Sequence, residues 1–263
     1  MAIHVPQKEA FETATKHYNQ LQWFEIISSL VTILFTILAV CSFYMYIEGF
    51  VNVISLILLI VAMYFKIRFQ MSYREAERIR RDSLIDNSFG TKLSETEAVE
   101  YYGNTGMGTG IHKLLAAIHE SSILSLAVIN RMVWKQALVN LIIGIILIIA
   151  CAISSLQSTI FLALFNGFMS INMIGSFIEL FFLKAEIRKV SDNCKNICEN
   201  HLKISNGPLS TIAQAHIIRE CMRYENALSY GSIMFDETTY KKINPMHNKK
   251  WETIKKRYYS EYL

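Results

Sequence analysis

Two long stretches of the chain, residues 26–65 and 137–183, contain almost no ionisable side chain, and this limits the fold more than any other feature. A soluble domain carries about 25% charged residues. Here the figure is 18% beside 52% hydrophobic, and the missing charge is missing from those two blocks. Residues 26–47 carry no charge and, as a helix, cover about 33 Å, enough to cross a hydrocarbon core of ~30 Å. After Glu48 and Gly49 the chain returns through residues 50–65, a shorter run that Lys66 and Arg68 extend by lying along lipid while their charges reach water. Residues 137–156 form a third apolar run, Gln157, Ser158 and Thr159 a polar turn, and residues 160–183 the return. Three prolines and eleven glycines are too few for an all-β chain that turns every ~8–12 residues. The sequence therefore predicts an all-α, polytopic membrane protein with four transmembrane helices in two hairpins. A cleaved signal peptide does not fit the first run, which starts more than twenty residues in and exceeds the ~7–15 apolar residues of such a signal.

Lys and Arg set the orientation. Two precede the first run, ten lie between the hairpins and fourteen follow residue 183, whereas the two opposite turns have none. The positive-inside rule then places both termini and the central segment in the cytoplasm of a multi-pass protein. The expected organisation is a cytoplasmic segment 1–25, hairpin 26–65, cytoplasmic helical segment 66–136, hairpin 137–183 and C-terminal helical segment 184–263. The excess of base over acid outside the hairpins is small. It suits an anionic leaflet, which attracts juxtamembrane cations at about 1 kcal/mol each, and direct nucleic-acid binding is not expected.

The second and fourth spans are expected to run on as cytoplasmic stalks, since residues 66–89 and 184–204 hold good helix formers and no breaker before Gly90 or Asn206-Gly207-Pro208. Ser94 and Glu97 have capping-box spacing, which predicts a short helix through Tyr102. A helix is expected over 111–136, feeding the third span, and another over 209–229. A last segment opens at Asp236, is expected to break at Asn244-Pro245, and ends in an aromatic, basic helix over 251–262.

Several residues are candidates for chemistry. Gly103, Gly106, Gly108 and Gly110 precede a helix whose free amides suit an anion, but no strand leads in and Lys113 is not followed by Ser or Thr, so linker and phosphate contact both stay open. Arg78, Arg80 and Arg81 are a second candidate contact for an anionic signal. Cys194, Cys198 and His201 lie on one helical face, with His216 and Cys221 on the next helix, and read either as weak metal candidates or as thiols buried between helices. Lys249, Lys250, Trp251, Lys255, Lys256 and Arg257 offer a docking element for a partner protein.

Glu179 is the one charge inside any span, at a cost of up to ~3 kcal/mol if it faced lipid. Ser176 and Asn172 share its face, and Ser28, Thr32 and Thr36 make a second polar stripe on the first span. These stripes either hydrogen-bond between packed helices or line a water path. Four helices enclose no pore, so a path needs a homo-oligomer. No paired-carboxylate, Ser-His-Asp or Cys-His arrangement stands in a recognisable setting, and His112, His119 and His216 lie in amphipathic helices, so no enzyme activity, catalytic residue or cofactor is expected.

The layout, together with Ala76-Glu-Arg-Ile-Arg-Arg-Asp-Ser-Leu-Ile-Asp86, Asn87-Ser-Phe-Gly90, Tyr101-Tyr-Gly-Asn104 and His119-Glu-Ser-Ser-Ile-Leu-Ser125, resembles the prokaryotic nucleotide-signalling-associated four-transmembrane effectors, predicted pore formers of antiphage defence operons. The resemblance implies a protein kept closed until a nucleotide second messenger or a defence partner protein triggers it. It then opens, depolarises the membrane and arrests growth in abortive infection. A membrane-anchored scaffold recruiting a soluble partner and a constitutive small ion channel are the alternatives.

Overall fold

The computed structural model describes residues 6–40, 48–94, 104, 106–153, 173–202, 209–231, 234 and 237–262. Six long helices account for most of them: α1 (Pro6–Val40), α2 (Glu48–Phe89), α3 (Ile111–Ile153), α4 (Met173–Ile197), α5 (Thr211–Gly231) and α6 (Glu237–Tyr258). A π-helical turn, Cys198–Leu202, follows α4, and a 3-10 turn, Ser260–Tyr262, follows α6. No strand occurs among the described residues.

Two of these helices, α2 and α3, are long and apolar enough to cross a membrane. In each, the charge-free portion suited to lipid lies on the hairpin side of Lys66 or Lys135. The first and fourth predicted spans fall partly at 41–47 and 160–172, outside the described residues, as does the short helix expected after Ser94.

The chain divides into two compact units. Unit 2 comprises Glu12–Ser72 and Trp134–Glu179. Within it α1 and α2 run antiparallel: Tyr18 meets Phe69 at 5.2 Å between ring centroids and, further along α1, Phe24 stacks on Phe65 at 4.7 Å. Offset aromatic pairs at such spacings contribute about 1 kcal/mol beyond their buried area. Many large apolar side chains of unit 2 are exposed, among them Leu30, Leu56, Ile60, Leu138 and Leu141.

Unit 1 comprises Met1–Phe11, Tyr73–Val133 and Leu180–Leu263. Its α4 segment buries Leu180, Leu183, Ile187, Val190, Cys194 and Ile197, an alternating spacing of three and four that makes a single apolar seam. α5 buries Ala213, Ile217, Glu220, Tyr224 and Leu228 on its own inner face. Leu115, Ile118, Val128 and Ile129 of α3 complete this core. Gly90 ends α2 at φ +70°, a left-handed conformation that costs glycine little, and its amide bonds the Asp86 carbonyl at 2.8 Å. Ser210 caps α5, its hydroxyl accepting from the Ala213 amide at 3.2 Å.

The expected break at Asn244-Pro245 does not occur: α6 continues through Pro245. An interior proline costs about 3 kcal/mol. Opposing that cost, side chains are buried on both sides of the proline, Thr239 before it and His247, Trp251, Lys255 and Tyr258 after it, so packing holds both halves of the helix in place.

Candidate functional site

Two buried polar clusters sit within unit 1. In the first, Arg80 of α2 donates to Glu77 one turn earlier, Nη2 to Oε2 at 2.8 Å, and also to Glu225 of α5. Its guanidinium lies over the Tyr224 ring at 5.8 Å from the centroid, and the Tyr224 hydroxyl meets Ser125 Oγ of α3 at 3.0 Å. Tyr73 of α2 donates to the Leu228 carbonyl at 3.2 Å. Three helices are thus tied together through one arginine and two tyrosines. Burial works against the Arg80 charge, but Glu225 and Glu77 outweigh it and hold the guanidinium protonated. Two carboxylates share that one buried cation, and Glu225 Oε1 has no hydrogen-bond partner. Burial accordingly holds the Glu225 carboxyl above its ordinary range, against the pull of Arg80.

The second cluster fastens the C-terminal end. The Tyr259 hydroxyl lies 3.1 Å from His119 Nδ1 of α3 and 3.1 Å from Cys198 Sγ in the π turn. Trp251 meets the His119 ring edge-to-face at 5.8 Å. Tyr258 donates to Glu199 at 2.7 Å, and Tyr262 stacks on His112 at 4.2 Å. Burial, helped by Lys195, lowers His119 to about 4, and burial pushes the Cys198 thiol up to about 12. At neutral pH His119, Cys198 and Tyr259 are therefore uncharged, and the Cys198 thiol is a poor nucleophile.

The glycine loop is docked against the end of α2. The Gly110 amide bonds the Ser88 carbonyl at 2.7 Å, and the fully buried Asn104 accepts from Asn87 at 3.3 Å. Beside it, Asp86 accepts from the Thr91 hydroxyl and the Leu93 and Ser94 amides, each at 2.7 Å, and from the Ser94 hydroxyl. Burial would raise this carboxyl, but those donors outweigh it and hold it at about 2. Asp86→Ala is expected to speed amide exchange at Leu93 and Ser94 by about tenfold or more, the loss of a charge-assisted acceptor. Unchanged exchange at both amides would show that Asp86 does not hold the loop.

The predicted site residues separate on these elements. Arg80 is turned largely inward, its side chain 12% exposed, Arg78 is exposed and bound to Glu75 at 2.6 Å, and the exposed Arg81 donates to the Glu77 carbonyl at 3.3 Å, so the three arginines do not converge. Gly106 and Gly108 are exposed, and Gly103 lies outside the described residues. Trp251 and Lys255 face the interior of unit 1, whereas Lys249, Lys250, Lys256 and Arg257 are exposed. Cys194 and Cys198 are buried, and the His201 ring sits 6.3 Å from that of His216. Among the described residues, no three His, Cys, Asp or Glu side chains are grouped to hold a metal ion. In unit 2, Glu179 is exposed and Ser176 and Ser28 half-buried. Thr32 and Thr36 lie in α1, and Asn172 lies outside the described residues.

Glu225, Asp86 and Tyr259 were not singled out by the sequence. Glu225 pairs with Arg80 across 145 positions, a distance no local pattern spans. A usable signal existed at Glu220 and Tyr224, polar residues on the inner spacing of α5.

The fold and these clusters define a class: an all-helical chain with two helices able to cross a membrane and a helical unit closed by buried polar ties. No protein-family model, curated protein or solved structure matches it.

Proposed function

We propose that this chain is an oligomeric membrane effector that permeabilises the bilayer when its unit 1 helices receive a signal. The observation that carries the reading is the make-up of α2 and α3. Each is one helix holding both exposed apolar residues, such as Leu56 or Leu141, and residues buried in the unit 1 core, such as Tyr73 or Leu115. A rearrangement of that core has an unbroken helix along which to act, and packed helices with two arrangements are an established switching device. Four spans in two hairpins, cytoplasmic termini, residence in a bacterial inner membrane and growth arrest in antiphage defence belong to the same proposal, supported by the charge asymmetry and the family resemblance.

The exposure of Glu179 beside exposed Ile178, Phe181 and Phe182 supports a role for a second subunit, because an acid on such a face needs water or a protein partner. Of the docking residues of the scaffold alternative, Trp251 and Lys255 are buried inside unit 1, and Lys249, Lys250, Lys256 and Arg257 stay exposed. Reconstituted protein is expected to release a trapped dye or ion gradient once triggered, and Glu179→Gln to change single-channel current. Vesicles that stay sealed under every activating condition tried would overturn the effector reading. An unchanged current would remove Glu179 from the path.

A further inference from the structure

α6 carries seven Lys and Arg against two Glu, a surplus of five, while the whole chain has a surplus of four. Everything outside α6 therefore holds one more acid than base. The surplus is also sorted by face. The inner face is filled by His247, Trp251, Lys255 and Tyr258, whereas Lys241, Lys242, Lys249, Lys250, Lys256 and Arg257 are all exposed. At 100° per residue Lys242, Lys249, Lys250, Lys256 and Arg257 fall on the half of the helix opposite Trp251, with Lys241 at its edge, in a band about 24 Å long. Met246, 75% exposed, lies among them, and Glu252 is the one acid within the band.

We infer that the outer face of α6 docks on the anionic headgroups of a bilayer surface. Three observations carry this. The chain has helices able to cross a membrane, which brings such a surface within reach. The band has the sign and number of cations that anionic leaflets bind, where four to eight basic residues act together. Lastly, the apolar side of α6 is consumed within unit 1, its end fixed by the Tyr259 bonds to His119 and Cys198, so α6 has no apolar face left to insert. The contact is thus one of charge on charge, sensitive to salt and to headgroup rather than to acyl packing.

The inference rests on the bilayer part of the proposed function and not on pore formation, and its test separates the two. Full-length protein carrying a nitroxide at Met246→Cys, with the signal of the unsubstituted protein subtracted, is placed in nanodiscs of phosphatidylcholine with or without phosphatidylglycerol, each doped equally with a nickel-chelating lipid. The label's relaxation should rise severalfold with phosphatidylglycerol and fall back in high salt. Each cation neutralised among Lys249→Gln, Lys250→Gln, Lys256→Gln and Arg257→Gln should lower the ratio of docked to free unit by about fivefold. All four are exposed, so the fold survives their loss. Relaxation indifferent to headgroup charge overturns the docking, whatever the flux assay gives. So does a label that responds only to added oligonucleotide, which assigns the face to nucleic acid. A chain that fails to enter the discs overturns the spanning reading, and flotation with anionic against neutral vesicles then decides the docking.

Discussion

Arg80→Met is expected to destabilise unit 1 by about 3–5 kcal/mol, the usual consequence of removing one partner from a buried ion pair. Among the described residues, Arg80 is the one cation that both Glu77 and Glu225 contact, and the two carboxylates come from different helices. Without it, two buried acids must either stay charged and unpaired or take up protons. Either course loosens α2 from α5. Amide exchange in α5 should then quicken by about two to nearly four orders of magnitude, the conversion of that free energy. The combined variant Arg80→Met, Glu77→Leu, Glu225→Leu separates a charge effect from a packing effect. Replacing a whole buried ion triad by apolar groups is often neutral or stabilising by about 1–4 kcal/mol, so the triple variant should return to the parental exchange rate or slower. If the single variant exchanges like the parent, or the triple falls as far as the single, the cluster does not hold these helices.

This cluster also marks how far the sequence could be read. Helical class was legible because residues 26–65 and 137–183 leave charge out over membrane lengths, and the ends of α2 and α5 were legible because Gly90 and the residues before Thr211 carry local stop and start chemistry. Arg80 stood out as a cation on a helix, yet its role was not visible. It was read as a contact for an anionic signal, whereas the docking of α5 turns it inward onto Glu77 and Glu225. Pro245 misled for the same reason in reverse. Backbone preference predicts a break there, and packing on both sides of the proline, at Thr239 and at His247 and Trp251, overrides it. The C-terminal aromatic and basic residues were read as one docking element, whereas the helix divides them, rings inward and cations outward. Period and chemistry are written locally; which face finds a partner is decided by elements over a hundred positions away.

The C-terminal attachment should be acid-labile while the Arg80 cluster is not. His119 is buried and its pKa is lowered from the ordinary 6.5 to about 4, by burial first and then by Lys195, with the Tyr259 hydroxyl and the rings of Trp251 and Tyr258 around it. Folding favours the neutral imidazole, so the unfolded chain takes up the proton first as pH falls. The stability held above about pH 6.5 is lost progressively down to about pH 4 and no further below it, about 3 kcal/mol in all. His247, on the inner face of α6 and lowered to about 4 by burial and Lys250, adds a loss in the same window. Glu225 works the other way. Its carboxyl is raised, so the folded state takes up a proton more readily than the unfolded chain, and acid favours the packing of α5. Asp86, held at about 2 against an ordinary 3.8, gives up its contribution only below that last value. Acidification from neutral to about pH 4 should therefore raise amide exchange throughout α6 while α5 stays protected, after correction for the intrinsic pH dependence of exchange. His119→Gln, which cannot titrate, should flatten the α6 response by about one proton's worth. Parallel loss of protection in α5 and α6, or an unaltered profile in His119→Gln, would show that the imidazole does not govern the attachment. A latch that opens in this window would also free the outer cations of α6 from their fixed arrangement, so bilayer docking should weaken at the pH where α6 exchange rises.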